Sequence, residues 1–215
     1  MKYELAIFDM DGTILDSIED LKDSLNHALK RSGLPERSLK EVTAFVGDGI
    51  RKLMERGVPS GTPIEVIDQV HRDFLLHYEV HYDDKTKPYE GILELLQELK
   101  RAGCKTAVLS NKVDDAVKKL ERCHFAGLFD AARGERPGVA KKPAPDGIQA
   151  ILRELDVPGE RTVYIGDTEV DIATARNAGL DCIVVGWGYR DHEFLRAQGA
   201  AEIMDSPKAV LAKIL

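Results

Sequence analysis

Cysteine is scarce in this sequence, with only Cys104, Cys123 and Cys182 among 215 residues. No two of them form a C-x-x-C pair, and an odd number argues against a disulfide framework. We therefore expect three reduced thiols that are mostly buried. The cysteine content gives no support to a small secreted domain held together by disulfides.

Long apolar runs and excess positive charge are also missing. No segment approaches the roughly 20 apolar residues that cross a bilayer, and no basic region followed by an apolar stretch resembles a signal peptide. We expect a cytoplasmic protein without a membrane partner. The 37 acidic and 30 basic residues give a net charge of -7, which disfavours a nucleic acid partner. A local positive site for a small anion remains compatible with that charge.

The order of apolar patterns predicts an interrupted α/β fold. Residues 3–8 form a short apolar strand pattern, residues 16–84 contain only helical patterns, and strands alternate with helices after Pro88. Short apolar strands that alternate with helices are typical of a doubly wound parallel sheet covered on both faces. We predict a Rossmann-like core made of residues 1–15 and 85–215, with an α-helical cap domain inserted at residues 16–84.

Periodicity and capping signals place the individual elements. The predicted helices cover about residues 17–32, 39–45, 49–56, 63–82, 92–102, 114–123, 146–155, 172–178 and 192–198. The predicted strands cover about residues 3–8, 105–109, 129–133, 162–165, 182–185 and 203–205.

Polar clusters follow three of these strands, and a fourth precedes a helix. They are Asp9-Met10-Asp11-Gly12-Thr13, Ser110-Asn111-Lys112, the Gly166–Asp171 segment and the Lys141–Asp146 segment. Each alone is compatible with an ordinary helix cap. Ligands of open α/β sheets bind at the carboxyl ends of the strands, so four such clusters together predict a site.

The residue types in these clusters favour phosphate chemistry. Convergence of Asp9, Asp11 and Asp167 would create a hard oxygen site that suits Mg²⁺, which would offset the repulsion between the carboxylates. Hydroxyl, amide and ammonium groups would bind the remaining phosphate oxygens. Carboxylates, Mg²⁺ and a lysine together fit phosphoryl transfer.

These clusters resemble the motifs of the haloacid dehalogenase (HAD) superfamily of phosphatases with a small helical cap. The sequence DxDGT spans Asp9–Thr13, the hydroxyl motif is Ser110, KPxPD spans Lys142–Asp146 and GDxxxD spans Gly166–Asp171. The four motifs occur in the family order and span the chain. DxD alone would be weak evidence, whereas the set is specific.

The resemblance implies a role for each motif residue. Asp9 would be the nucleophile that forms an aspartyl-phosphate, and Asp11 the general acid and base. Lys142 would neutralise the charge of Asp9 and of the phosphoryl group, while Asp171 would orient the set. The expected metal ligands are Asp9, Asp11 through its main-chain carbonyl, and Asp167. The expected phosphate-binding residues are Ser110, Asn111 and, with a lesser role in holding the loop, Thr13.

The cap segment carries the signal for the substrate. Gly47-Asp48-Gly49 precedes a predicted helix, so helix N–H groups and the cations Arg51 or Lys52 could bind a substrate carboxylate. An ordinary helix–helix turn with both cations in solvent is an equally good interpretation. The loop is similar to the cap loop of phosphoglycolate phosphatases, as are Pro88-Tyr89-Glu90-Gly91 and Gly186-Trp187-Gly188-Tyr189.

The resemblance therefore implies hydrolysis of a small phosphorylated metabolite such as 2-phosphoglycolate, by a monomer or weak homodimer. Pyrophosphatases, sugar phosphatases and β-phosphoglucomutases share the same core motifs and stay open as alternatives. A haloacid dehalogenase should lack the second aspartate of DxD, and Asp11 is present. A silent regulatory module should have lost a core motif residue, and none is missing.

Histidines cluster on one predicted helix, where His77 and His81 lie four positions apart. This spacing can bind a metal, but no third ligand is near in sequence. We predict that His71, His77 and His81 are surface or packing residues.

Overall fold

A computed structural model describes residues 2–215 of the chain. The chain divides into two compact units. The first contains the chain up to Leu15 together with Pro88–Leu215, and the second contains Asp16–Lys87.

The described residues form eight strands and ten α-helices. The strands are β1 (Leu5–Phe8), β2 (Leu15–Asp16), β3 (Lys87–Pro88), β4 (Lys105–Val113), β5 (Ala131–Glu135), β6 (Thr162–Gly166), β7 (Asp181–Val185) and β8 (Ile203–Met204). The helices are α1 (Ile18–Arg31), α2 (Leu39–Phe45), α3 (Ile50–Gly57), α4 (Ile64–His81), α5 (Ile92–Arg101), α6 (Asp114–His124), α7 (Asp146–Leu155), α8 (Glu169–Ala178), α9 (His192–Ala197) and α10 (Pro207–Ile214). A 3₁₀ turn covers Gly159–Arg161.

Six strands form one sheet in the order β5-β4-β1-β6-β7-β8. All of its pairings are parallel, and the helices that connect the strands cover it, so the predicted α/β fold is confirmed. β1 lies at the centre, with Leu5 opposite Lys105 on β4 and opposite Thr162 on β6. The segments that follow β1, β4 and β6 therefore leave the sheet at one edge, where ligands of such folds bind.

Apolar periodicity explains the main elements of this unit. All four residues of β1 are buried, as expected for a strand covered on both faces. Helix α5 buries Ile92, Leu95, Leu96 and Leu99 on one stripe, which is the i, i+3, i+4, i+7 pattern that predicted it.

Two predicted boundaries near the site are wrong. The strand expected at residues 105–109 continues as β4 to Val113, with an irregular register between Leu109 and Val113. Polar side chains replace the apolar ones in that stretch, so the pattern hid its extended backbone. Helix α8 begins at Glu169 rather than at Ile172, because the side chains of Thr168 and Asp171 form a reciprocal capping box that starts it earlier.

Three short elements were not predicted. β2 and β3 are two residues each and pair in a separate two-stranded sheet, too short for any periodicity. Helix α10 begins after Ser206, whose side chain accepts from the N–H of Ala209, and has Pro207 in its first turn. That Ser-Pro sequence was an available start signal.

The second unit is helical, and α1 packs against α4 in it. It ends at Lys87, whereas the predicted cap ended at residue 84. The carboxylate of Asp20 accepts bonds from the N–H groups of Lys85 and Thr86 and from the Thr86 hydroxyl, at 2.7–3.1 Å. These bonds attach residues 85 and 86 to α1.

Three imidazoles stack in this unit. The ring centroids of His27 and His77 are 4.1 Å apart, and those of His77 and His81 are 4.2 Å apart. The Nδ1 of His77 lies 3.0 Å from the Ser24 hydroxyl. Burial and the neighbouring histidines lower the pKa of His77. This arrangement agrees with the prediction that His77 and His81 are surface or packing residues.

No helix formed by residues 2–215 combines the length and apolar character that a membrane crossing requires.

Candidate active site

The turn after β1 places Asp9 at the edge of the sheet. The N–H of Asp9 donates to the carbonyl of Ile165 on β6 (2.8 Å), and its side chain is 10% exposed. The chain then turns at Gly12, whose φ is +88°. A Cβ there would lie 2.4 Å from Oδ2 of Asp167, so only glycine permits this close approach.

The segment after β6 holds two buried carboxylates, Asp167 and Asp171. The hydroxyl of Thr13 donates to Oδ1 of Asp167 (2.8 Å). Oδ2 of Asp171 accepts from the N–H groups of Asp167 (3.2 Å) and Thr168 (3.0 Å) and from the Thr168 hydroxyl (2.6 Å). Asp171 therefore fixes the backbone that carries Asp167.

Lys142 joins a carboxylate of the DxDGT motif to one of the GDxxxD motif. Its Nζ is 2.7 Å from Oδ1 of Asp9, 2.8 Å from Oδ1 of Asp171 and 3.1 Å from the hydroxyl of Tyr164. The Lys142 side chain is 3% exposed. Burial alone would lower the pKa of Lys142, but the charges of Asp171 and Asp9 raise it well above its ordinary value. Lys142 is therefore a fixed positive charge.

Negative charge exceeds positive charge around Lys142. Burial and the charge of Asp171 raise the pKa of Asp9 well above its ordinary value, although Lys142 opposes the shift. Burial and Asp171 also raise the pKa of Asp167 to about 7. The sequence signals were the DxD and GDxxxD motifs, but the accumulation of buried charge appears only in the structure.

The acidic group has the composition of a hard-cation site. Within residues 2–215, one group of at least three His, Cys, Asp or Glu side chains has ligand atoms spaced to share an ion: Asp9, Asp167 and Asp171, all within 4.8 Å of one another. Oxygen ligands of this kind suit Mg²⁺. A divalent cation would also balance the charge that raises the pKa values of Asp9 and Asp167, so these residues fit the expected Mg²⁺.

The polar residues of β4 lie in its irregular stretch. Ser110, Asn111 and Lys112 are all buried. Oγ of Ser110 accepts from the N–H of Lys112 (3.1 Å). The amide of Asn111 donates to the carbonyl of Lys142 (3.1 Å), which ties the second motif to the lysine motif.

The loop after β7 also contacts the acidic group. The N–H of Tyr189 donates to Oδ2 of Asp167 (2.8 Å), and the indole N–H of Trp187 donates to the carbonyl of Thr13 (3.0 Å). A Cβ at Gly188 would lie 2.3 Å from Oδ2 of Asp167. This Gly-Trp-Gly-Tyr run resembled phosphoglycolate phosphatases in sequence, but no contact with the acidic group was predicted for it.

Two further residues at the site had no predicted role, although Lys112 lies in one of the predicted polar clusters. Tyr164 lies inside β6, where its hydroxyl is 3.1 Å from Oδ1 of Asp171. Nζ of Lys112 lies 3.1 Å from Oδ1 of Asp11. Tyr164 looked like an ordinary strand residue, and Lys112 like the end of a polar turn.

The predicted cap cations have acidic neighbours in the second unit. Arg51 contacts Glu55 (3.1 Å) and Asp68 (2.5 Å), and Lys52 contacts Glu55 (2.7 Å). The preceding Gly47 and Gly49 both have positive φ. Asp48 pairs with Arg56, a contact that was not predicted.

Comparison with known proteins agrees with this geometry. A family profile described as haloacid dehalogenase-like hydrolase matches residues 6–185. The chain belongs to the haloacid dehalogenase-like hydrolases. The HAD resemblance inferred from the four motifs is therefore confirmed.

Relatives within this family are phosphatases. A phosphoglycolate phosphatase of Aquifex aeolicus is 34% identical over 186 residues, which cover 86% of this chain and 85% of the relative. A crystal structure from Lactobacillus delbrueckii subsp. bulgaricus, provisionally assigned as a phosphoglycolate phosphatase, superposes with a TM-score of 0.96 at 37% identity. It covers 100% of this chain and 99% of its own.

A less similar structure contains bound phosphate. CbbY from Rhodobacter sphaeroides, solved in complex with phosphate, has a TM-score of 0.72 at 30% identity, with 95% of each chain covered. The predicted enzyme class, a HAD-family phosphatase similar to phosphoglycolate phosphatases, is confirmed by these relatives.

Proposed function

We propose that the protein is a Mg²⁺-dependent phosphomonoester hydrolase that works through an aspartyl-phosphate. Its substrate would be a small phosphorylated carboxylate such as 2-phosphoglycolate. The observation that carries the proposal is the contact of buried Lys142 with Asp9 and Asp171, beside buried Asp167. Cytoplasmic localisation and a monomer or weak homodimer remain predictions.

Asp9 would act as the nucleophile. Lys142 holds Oδ1 of Asp9, which leaves Oδ2 to attack phosphorus. A bond forms between this oxygen and phosphorus while the bond from phosphorus to the ester oxygen breaks. Lys142 lowers the cost of bringing a phosphoryl group against a carboxylate, because its charge is fixed and buried.

Asp11 would move the protons. Its protonated carboxyl gives a proton to the departing ester oxygen, so an alcohol leaves. The resulting carboxylate then takes a proton from water, whose oxygen attacks phosphorus and breaks the bond to Asp9. Phosphate is released, and the starting form of the enzyme is regenerated.

Asp9, Asp167 and the main-chain carbonyl of Asp11 would hold Mg²⁺. The bound ion would supply charge stabilisation for the phosphoryl oxygens. Both oxygens of Asp171 already accept hydrogen bonds, which supports an orienting role for this residue rather than direct ligation.

Ser110 and Asn111 would bind phosphoryl oxygens. Their burial at the carboxyl end of β4 supports this role. The hydroxyl of Thr13 is bonded to Asp167, so we propose that Thr13 holds the metal-binding loop rather than the substrate.

The substrate proposal rests on the relatives named phosphoglycolate phosphatase and on Arg51 and Lys52. We propose that these two cations bind the substrate carboxylate. Their present partners, Glu55 and Asp68, are carboxylates on a partly exposed surface. Such exposed pairs contribute little to stability and can be exchanged at small cost.

Arg51→Ala and Lys52→Ala test this proposal in the presence of Mg²⁺. The wild-type enzyme should hydrolyse 2-phosphoglycolate with a higher kcat/KM than an aryl phosphate without a carboxylate. Each variant should raise KM for 2-phosphoglycolate about tenfold, the loss expected for one charge-assisted contact, and leave the aryl phosphate unchanged.

Lys40→Ala is the matched control, because Lys40 is an exposed lysine of the same unit. Equal effects of Arg51→Ala on both substrates would refute the carboxylate site but not the phosphatase activity. Failure of the wild-type enzyme to hydrolyse any phosphate ester would refute the proposed function itself.

A further inference from the structure

Lys112 is a buried cation whose position the proposed reaction does not explain. It lies in the irregular stretch of β4, and its side chain is 3% exposed. Its Nζ is 3.1 Å from Oδ1 of Asp11, whose side chain is 19% exposed. Burying an ammonium group is costly unless a partner offsets the lost hydration. A lysine at this position therefore needs a reason beyond packing.

The backbone of Lys112 is held on two sides. Its N–H donates to the Ser110 hydroxyl (3.1 Å). On the other side, β5 comes so close that a Cβ on Gly134 would lie 2.5 Å from the carbonyl oxygen of Lys112. The N–H of Gly134 also donates to Oδ1 of Asp114 (2.9 Å). Lys112 therefore projects its side chain from a fixed point.

Each of the two lysines of the site contacts one aspartate of the DxD pair. Lys142 contacts Asp9, and Lys112 contacts Asp11. The like charges of the DxD pair are thus each paired with their own ammonium group.

We propose that Lys112 is a positioning residue for Asp11. By binding Oδ1, it fixes the carboxyl group that carries the proton to and from the reacting oxygens. This inference rests on the proposed function, in which Asp11 protonates the departing alcohol. Proton transfer depends on such placement because the acid must lie within hydrogen-bond reach of the leaving oxygen.

The dependence of the rate on the leaving group tests the proposal. An alkyl phosphate such as 2-phosphoglycolate releases a strongly basic alkoxide that needs protonation, whereas p-nitrophenyl phosphate releases a weakly basic phenolate. The value of kcat/KM reports the steps up to alcohol release. In Lys112→Met it should fall about 30-fold for the alkyl phosphate, part of the range expected for general acid catalysis, and less than about threefold for the aryl phosphate.

Four companion variants make the result specific. Asp11→Asn should show the same discrimination more strongly, and adding Lys112→Met to it should cause no further loss, because both act through one group. Lys112→Arg should recover most of the alkyl phosphate activity. Lys118→Met is the control, since Lys118 pairs with Asp114 on the surface of α6 and should leave both rates unchanged.

Equal losses on both substrates in Lys112→Met, or a full additional loss in the Asp11→Asn background, would overturn the positioning role. If Asp11→Asn lowers kcat/KM equally for both substrates, Asp11 is not the general acid, and the positioning role of Lys112 is overturned as well. Thermal unfolding checks that each variant is folded. Should Lys112→Met not fold, Lys112→Gln replaces it: an alkyl-to-aryl ratio about tenfold or more below wild type supports the proposal, and a ratio within about threefold of wild type overturns it.

Discussion

Replacing Asp9 by Asn should reduce kcat for phosphate ester hydrolysis by about 10⁴-fold or more, the scale seen when a catalytic nucleophile is removed. The amide cannot form the aspartyl-phosphate at a useful rate, although it has nearly the same shape as the carboxylate. Steady-state hydrolysis of p-nitrophenyl phosphate and of 2-phosphoglycolate measures the effect. The loss should be similar for both substrates, because both need the same nucleophile.

The fold should survive this substitution. Burial and Asp171 already raise the pKa of Asp9, so loss of its charge removes an unfavourable term as well as the contact to Lys142. Asp115→Asn, at an exposed position of α6, is the control and should retain full activity. Turnover of Asp9→Asn within about tenfold of wild type would be incompatible with nucleophilic catalysis by Asp9.

Removing divalent metal should reduce activity by about 100-fold or more, because the charge stabilisation of the phosphoryl group is worth several kcal/mol. Dialysis against a chelator followed by assay measures the loss, and added Mg²⁺ should restore the rate. Asp167→Asn should require a much higher Mg²⁺ concentration for half-maximal activity. A chelated enzyme with unchanged activity would contradict the metal assignment.

The raised pKa of Asp167 predicts how the stabilisation by Mg²⁺ changes with pH. Its folded-state pKa is raised to about 7 by burial and Asp171, so the metal-free carboxyl is protonated below that pH. Its contribution to the stability of the metal-free protein is therefore present at low pH and lost as the pH rises through about 7. Protons and Mg²⁺ compete for the group, so Mg²⁺ should raise Tm more at pH 8 than at pH 6.

The architecture was predictable because its signals are local. Helix α5 has an unbroken apolar stripe, and β1 is a short apolar run, so composition and period were sufficient. The core motifs were predictable for a related reason. The sequence marks the ends of the elements that Asp9 and Asp167 follow and the start of the helix that Lys142 precedes. The carboxyl ends of parallel strands lie at the same edge of the sheet.

The contacts that were not predicted depend on strand order and register. Local sequence patterns do not reveal these two properties. Tyr164 reaches Asp171 and Lys142 from a position that looked like plain strand. Lys112 meets Asp11 because β4 continues beyond Leu109 with an irregular register. The contact of Tyr189 with Asp167 requires the loop after β7 to return beside β6. Tyr164 and Asp171 are seven residues apart, and the other pairs are separated by 22 residues or more.

The most direct measurement of the central claim is to trap the covalent intermediate. Enzyme, Mg²⁺ and excess 2-phosphoglycolate would be mixed and quenched in acid within one turnover, and the peptides analysed by mass spectrometry. We predict a phosphorylated peptide with the phosphoryl group on Asp9, and none in Asp9→Asn. With p-nitrophenyl phosphate, whose leaving group needs no acid, the phosphorylated peptide should accumulate in Asp11→Asn, because that variant slows the attack of water. Hydrolysis that proceeds at the normal rate with no phosphoryl group on Asp9 at any time, or with the group on another residue, would contradict the central claim.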